Sequence, residues 1–498
     1  TTAPQRLPGV DDAAVDYAVF NLSPTHFFVL QSRSTWNEVY VGSYHDFSLV
    51  RVAPPGATRD VFTAVTDTFC ESPSYFAASV HGGIARVDSA GQMSPAYAAV
   101  ADARIDGVWS CGCNHHPIAR LRNYTDASTR LVQFTSETTW RTLRTSDNLR
   151  SAGEFWAGYQ VATIIRTADS QDLPMWELSG VVPPVACTVS CEAGHASLTC
   201  DERPSEPFAV ERGAVEGVPY YLVRPPGETV GYIFEAYGAY GSTMRADFAA
   251  YRLAMVARNY TWVRMNPRGS GVSGTSWFEG RGAMKANTFA DIASVIRSFR
   301  SADPAQPTVL HGWSAGGLAA TATGLLYPDL VDVVWGEAPF VDVSCAMRDP
   351  EDMTSSYEVG EWSDTCTAPF DPMRLVAGAD VHTAPLMYLE TSYEDIRVPC
   401  SQVARFGLMA RAHTSLRHLL IRTRHGSHAA GQPVVARAES LATVLYLINQ
   451  TKALSHTLVP AATIDVAAIV AVTALLFLCV GACTWLALME RSRRRALA

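Results

Sequence analysis

Lysine is almost missing from this chain: of 39 basic residues only two, Lys285 and Lys452, are lysine. Such a bias reads as coding preference in a GC-rich genome and not as a demand for guanidinium chemistry. Charge of either sign is also scarce, at 17% of residues against 48% apolar. That ratio excludes intrinsic disorder as the main state. The 34 glycines and 28 prolines follow no repeat, which excludes collagen-like and low-complexity chains. A basic excess is absent too, since 39 basic against 48 acidic residues leave a net charge of −9. Nucleic-acid binding draws its affinity from neutralising phosphates, so no nucleic-acid partner is expected. What remains is 498 apolar-rich residues, room for two or three domains at roughly 150 residues each.

One long apolar run stands out. Residues 466–488 carry no charge and are long enough to cross a hydrocarbon core about 30 Å thick. A core helix of that length would show a polar face, and this run shows none. Glu490 is followed by Arg491, Arg493, Arg494 and Arg495, and the positive-inside rule puts such a tail in the cytosol. The expectation is a single-pass type I membrane protein whose ectodomain is extracellular or lumenal. The start at Thr1, without Met, fits a removed signal peptide. Sequons at Asn21, Asn123, Asn259 and Asn449 fit an exported glycoprotein. Asn259, just ahead of an apolar strand, is the one least expected to carry sugar.

Of eleven cysteines, Cys479 and Cys483 fall in the apolar run. The other nine are Cys70, Cys111, Cys113, Cys187, Cys191, Cys200, Cys345, Cys366 and Cys400, and in an oxidising compartment most should pair. Cys187, Cys191, His195 and Cys200 have the residue types of a zinc site but not its spacing. Disulfides are expected there, and no metal or other cofactor. Cys111 and Cys113 beside His115 and His116 are read the same way.

Residues 1–207 read as an all-β domain of short strands, at 26–31, 38–44, 48–53, 75–80, 131–135 and 160–166, without a long helix. Repeated β units at this spacing suggest propeller blades or a sandwich. From 208 to 452 strands and helices alternate, which predicts a mostly parallel sheet in one α/β domain. A stalk at 453–465, the membrane helix at 466–488 and a basic tail at 489–498 complete the chain.

The sequence Gly312-Trp313-Ser314-Ala315-Gly316 has the form G-x-S-x-G between a strand at 308–311 and a helix. In that context it predicts a nucleophile elbow, with Ser314 exposed at the sheet edge and the Ala315 N–H aimed at a developing oxyanion. A serine hydroxyl needs a base and an orienting carboxylate, here following in the order Ser, Asp, His. Asp395 lies after the strand at 386–391 and His428 after the strand at 418–422, both at the active end of an open α/β sheet. Glu394 and His425 are local competitors that spacing does not separate from them.

Residues 208–450 resemble the catalytic domain of prolyl oligopeptidases, most closely the oligopeptidase B branch. The likeness rests on Tyr237-Gly238-Ala239-Tyr240-Gly241 with Ala246-Asp247-Phe248, on Pro267-Arg268-Gly269-Ser270-Gly271, and on Trp277-Phe278-Glu279. It continues through Asn287-Thr288-Phe289 with Asp291, the serine motif, Tyr327-Pro328-Asp329-Leu330, and Pro339-Phe340-Val341-Asp342-Val343. The resemblance implies an α/β hydrolase that cleaves short peptides. Ser314 would be its nucleophile, His428 its base and Asp395 the orienting acid. Tyr237 would join Ala315 in the oxyanion hole. The branch holds a basic substrate side chain with acids two residues apart. Glu358 fills the first position, Gly360 replaces the second, and Glu361 matches a neighbouring acid. A second acidic pair corresponds to Arg245 and Asp247, one of them reversed in sign. A weakened preference for basic residues is therefore expected.

In that family a seven-bladed propeller covers the active site. At roughly 45 residues per blade, the region ahead of the hydrolase supplies four or five, so a reduced propeller is expected. Segment 27–52 resembles a blade from the later half of that propeller. The leading reading is a membrane-anchored serine oligopeptidase acting on peptides outside the cytosol. A second reading is a hydrolase-fold surface glycoprotein, of viral origin among others, kept for binding or adhesion with impaired catalysis. An esterase would share the elbow but not the other stretches. Oligomeric state leaves no mark in the sequence.

Overall fold

The computed structural model describes residues 83–456, less 88–92, 110, 112–114, 147, 152–153, 158–159, 164–171, 273–275, 344–357, 361–367, 381–382, 414–418 and 429–433, together with the strands between 16 and 79. Two compact units are present, and they do not follow chain order. The first comprises 1–223, 240–249 and 268–281; the second comprises 224–239, 250–267 and 282–498.

Every described element up to residue 200 is a strand, and four sheets result. Asp16–Asn21, His26–Ser32, Asn37–Ser43 and Leu49–Val52 form an antiparallel meander. Ala103–Trp109, Ile118–Asn123, Thr129–Phe134 and Trp140–Ser146 form another. A third joins Asn148–Ser151, Leu173–Leu178, Val185–Glu192 and His195–Cys200. The fourth departs from a plain meander. Glu154–Ala157 and Gln160–Thr163 extend the sheet of Phe62–Asp67, Tyr75–Ser79, Ile84–Val87 and Met93–Tyr97, with Thr163 parallel to Ala64. These four sheets make up the β-rich region that precedes the hydrolase in the chain. A hairpin of Ala209–Val215 and Val218–Arg224 follows, its turn made by Glu216 (φ 49°) and Gly217 (φ 80°), the left-handed pair that a tight two-residue hairpin needs.

Alternation builds the core of this unit. In Val185–Glu192 the inward residues are Val185, Cys187, Val189 and Cys191. Cys187, Val189 and Cys191 pack with Trp109, Ile118, Leu131, Leu149 and Met175. Two disulfides, Cys111–Cys191 and Cys187–Cys200, close the same region. The zinc-like run is thus disulfide-bonded. Glu177 approaches the Cys187 and Cys200 sulfurs, but bonded sulfurs offer no thiolate, and its carboxylate is held by Arg144 at 2.6 Å and Arg203 at 3.2 Å. Cys400 is also disulfide-bonded, while Cys70, Cys113, Cys345 and Cys366 lie outside the described residues.

The second unit follows from its strand–helix alternation. Numbered within this unit, its strands are β1 (Gly231–Ala236), β2 (Tyr260–Met265), β3 (Thr308–Trp313), β4 (Val333–Glu337), β5 (Leu386–Ser392) and β6 (Leu419–Arg424). The helices are α1 (Ala250–Val256), α2 (Ala286–Ala302), α3 (Ala315–Leu326), α4 (Pro372–Ala377), α5 (Cys400–His413) and α6 (Val434–His456). The strands are parallel in the order β2-β1-β3-β4-β5-β6. All residues of β1, β2 and β4 are buried, as a sheet covered on both faces requires. In α2 the buried positions Phe289, Ile292, Ala293, Val295 and Ile296 recur at helical spacing. The strand order reverses between β1 and β3, which opens a crevice at their carboxyl ends.

Three expectations need correction or limits. Asn259 is exposed, in a left-handed turn (φ 67°) between α1 and β2, which bears on its accessibility and not on whether it carries sugar. The last helix runs on to His456, into the expected stalk. Among the described residues no helix is long and apolar enough to cross a membrane, and the run 466–488 lies outside them.

Charge is buried at the ends of these strands. Glu235 lies 3.1 Å from Arg264 and 3.6 Å from Arg252, and accepts from the Trp262 indole at 2.8 Å. Burial alone would raise its carboxyl, but Arg264 and Arg252 outweigh it and hold the group at about 2. A depressed carboxyl stabilises the fold above its unfolded value and loses that contribution as pH falls through the folded one. Acid unfolding followed by tryptophan fluorescence is therefore expected to draw on Glu235 between about 4.5 and about 2. Glu235→Gln should lower stability at neutral pH and flatten the slope in that window; an unchanged slope would remove Glu235 as its source.

Candidate active site

Ser314 sits where β3 turns into α3, with φ 57° and ψ −120°, outside the regions an L-residue normally occupies. Neighbouring backbone holds it there. Its N–H donates to the Glu337 carbonyl at 2.9 Å, and its carbonyl accepts from Gly317 at 2.8 Å and Phe340 at 3.1 Å. The flanking glycines are required by space. A Cβ on Gly312 would lie 1.9 Å from the Gly316 carbonyl oxygen, and one on Gly316 2.5 Å from that of Ala236. The motif is thus a packing solution that lets the chain fold back sharply and presents the hydroxyl at the crevice.

Asp395 follows β5 and His428 follows β6, so three strand ends supply three side chains. His428 Nδ1 lies 2.7 Å from Asp395 Oδ2, and its Nε2 lies 2.9 Å from Ser314 Oγ. Asp395 is oriented in turn, since its Oδ1 accepts the N–H groups of Arg397 at 3.0 Å and Val398 at 2.8 Å. All three residues are buried, at 9% exposure or less. The competitors are set apart: His425 pairs with Glu394 at 2.9 Å, with side chains 87% and 52% exposed.

Tyr237 follows β1, directly across the crevice from Ser314, and its phenol hydrogen-bonds Ser314. Burial and the nearby Glu358 carboxylate push that phenol up to about 12, outweighing the Ser314 hydrogen bond and the positive field of Arg397. It stays protonated and able to donate at neutral pH. Ala315 opens α3, where first-turn N–H groups have no intrahelical acceptor. An oxygen placed between the phenol and this amide would receive two donors. Trp313 is 38% exposed, with its ring centroid 4.8 Å from that of His428 and 6.2 Å from that of Tyr237. It forms a flat wall beside the base. A cavity of about 580 Å³ is lined by Trp313, His428, Arg422 and Arg437 among others.

Of the acids expected to bind substrate, Glu358 is already paired within the chain. Glu358 is 1% exposed and its carboxylate meets Lys285 Nζ at 2.7 Å, a cation from its own chain. Gly360, where a second acid was looked for, has φ 93°, a conformation that disfavours any side chain. Asp247 belongs to the first unit and Glu358 to the second, and Glu361 lies outside the described residues. Sequence reading missed Lys285, although the rarity of lysine was a signal.

Comparison with known proteins agrees with this geometry. Residues 246–453 match the model of the prolyl oligopeptidase family. Protease 2 of Moraxella lacunata is 29% identical over 243 residues, 45% of this chain and 35% of that protein. Prolyl endopeptidase-like of Homo sapiens is 33% identical over 135 residues, 26% of this chain and 19% of its own length. The matched regions thus span about a third or less of these relatives. Among solved structures, oligopeptidase B from Leishmania major superposes with a TM-score of 0.66 at 16% identity, over 88% of this chain and 65% of that one. Oligopeptidase B from Trypanosoma brucei gives 0.69 at 19% identity, over 88% and 67%. The structural likeness establishes the fold, an α/β hydrolase domain with a β-rich region, and the family match covers the elbow, the acid and the histidine. Residues 246–453 are thus similar to the prolyl oligopeptidase family, and that stretch holds Ser314, Asp395 and His428.

Proposed function

We propose that this chain is a serine oligopeptidase that cleaves peptides through an acyl-enzyme on Ser314. The observation that carries the reading is the continuous hydrogen-bonded line from Asp395 through His428 to Ser314. His428 Nε2 accepts the Ser314 proton as the hydroxyl oxygen attacks the scissile carbonyl carbon. The negative charge that develops on the carbonyl oxygen meets the Tyr237 phenol and the Ala315 N–H. His428 then passes its proton to the leaving amine. Water repeats the sequence on the ester, with His428 again as base, and releases the acid. Asp395 keeps the imidazole in the tautomer and orientation that both halves need.

Specificity for a basic side chain is expected to be weak. Glu358 is already matched by Lys285, and a substrate cation would have to displace that partner. The apolar run 466–488 and its basic tail support an anchored form with the catalytic unit outside the cytosol. The test is a fluorophosphonate probe on the full chain, with the modified peptide mapped by mass spectrometry, followed by digestion of peptides with Arg or a neutral residue before the scissile bond. The reading expects one label, on Ser314, and rates within about tenfold for the two classes, about 1.4 kcal/mol of discrimination. No label on the folded protein would overturn the hydrolase reading. A preference for Arg well beyond tenfold would overturn only the specificity.

A further inference from the structure

Lys285 is nearly inaccessible, with 1% exposure, in a chain where almost every other cation is arginine. It occupies the N-cap position of α2 and makes no capping hydrogen bond with its side chain. A cation there opposes the helix dipole, so the helix does not explain it. Its Nζ instead donates to the Gly238 carbonyl at 2.7 Å and to Glu358 Oε1 at 2.7 Å. Gly238 immediately follows Tyr237 and has φ 64°. Glu358 in turn is close enough to Tyr237 for its charge to act on the phenol.

We propose that Lys285 is the positioning residue of the oxyanion donor Tyr237, tethering the backbone after it and occupying the carboxylate that would otherwise compete for its O–H. The role rests on the reading of Tyr237 as an oxyanion donor. Two physical demands meet at this position. The turn after β1 is left-handed at Gly238 and needs an external hold on its carbonyl to fix the direction of the Tyr237 ring. Glu358, buried and acidic, needs a counter-charge, or it becomes an acceptor facing the phenol. One compact ammonium with tetrahedral donors satisfies both acceptors from a small volume. A guanidinium presents a planar fork of larger size and holds its donors in one plane.

The test is a double-mutant cycle read against backbone exchange. Tyr237→Phe alone is expected to lower kcat by about 10²–10³-fold, the range for loss of one oxyanion donor. Lys285→Met is expected to lower kcat by about tenfold or more with KM changed less than about twofold, since ground-state contacts to peptide are untouched. In the Tyr237→Phe background Lys285→Met is expected to add little, because it acts through that hydroxyl. The pair Lys285→Met with Glu358→Gln leaves no buried charge unpartnered, so it guards against simple misfolding, and it should keep part of the kcat loss because the Gly238 tether is still gone. Amide hydrogen exchange across residues 236–239 should rise by about tenfold in both variants, or about 1.4 kcal/mol of lost protection. Full additivity of the two substitutions, or unchanged exchange at 236–239, would overturn the proposal. If the wild-type protein neither labels nor hydrolyses, the oligopeptidase reading falls while the exchange result still decides whether Lys285 holds the turn.

Discussion

Ser314→Ala and His428→Ala are each expected to lower kcat by about 10⁶-fold, and the double variant to lower it no further. The reason lies in the 2.9 Å contact between His428 Nε2 and Ser314 Oγ. A serine hydroxyl without its base is scarcely nucleophilic, and a base without the hydroxyl has nothing to deprotonate. The two side chains therefore act as one device and their losses do not multiply. Activity above the uncatalysed rate should persist in all three variants at about 10³–10⁴-fold, because the oxyanion donors and the peptide-binding surface remain. Steady-state kinetics on one peptide substrate, with circular dichroism confirming that each variant folds, would decide it. Multiplying losses would mean that the two residues serve separate steps, and the single acyl-transfer device would be wrong.

The parts of this site that were legible in the sequence are those set by local chain geometry. The glycines around Ser314 announce the elbow because a Cβ at Gly312 or Gly316 has nowhere to go. Asp395 and His428 could be placed because each follows a strand whose apolar run is unmistakable, and parallel strands bring their carboxyl ends together. The choice between Asp395 and Glu394, or His428 and His425, was not available from spacing. Burial makes it: the Asp395–His428 pair is enclosed and the Glu394–His425 pair is in solvent.

What could not be read was set by contacts between distant segments. Lys285 and Glu358 are far apart in sequence, and no local pattern says that their charges meet. The same holds for Cys111, which pairs with Cys191 across 80 residues and not within its own C-x-C. The make-up of the two compact units was hidden for a related reason. Segments 240–249 and 268–281 emerge from strands of the hydrolase unit but pack with the first unit, and strand–helix alternation carries no trace of that exchange. The role of Glu358 as a substrate-binding acid rested on likeness alone. The second position of the acidic pair, already read as Gly360, has φ 93°, which suits a glycine and not a carboxylate side chain.

Asp395→Asn is expected to lower kcat about 10⁴-fold while leaving the fold and KM nearly unchanged, and the structure supplies the reason. Asp395 Oδ1 receives two backbone N–H groups, from Arg397 and Val398, whereas Oδ2 faces His428 Nδ1 at 2.7 Å. An asparagine at this position must turn its carbonyl oxygen toward the two N–H donors, since its NH₂ would clash with them. The NH₂ then points at His428 Nδ1 and donates to it. An imidazole that accepts at Nδ1 carries its proton on Nε2, the nitrogen that faces Ser314 Oγ. The base is thus present, in place and in the wrong tautomer, able only to donate to the hydroxyl it should deprotonate. Asp395→Ala leaves the two N–H groups and Nδ1 without a partner but forces no tautomer. It should therefore be less stable than Asp395→Asn and yet retain comparable or higher kcat. Thermal unfolding and kcat measured on both variants separate the effects. Wild-type kcat in Asp395→Asn would remove Asp395 from the device and return the choice to Glu394.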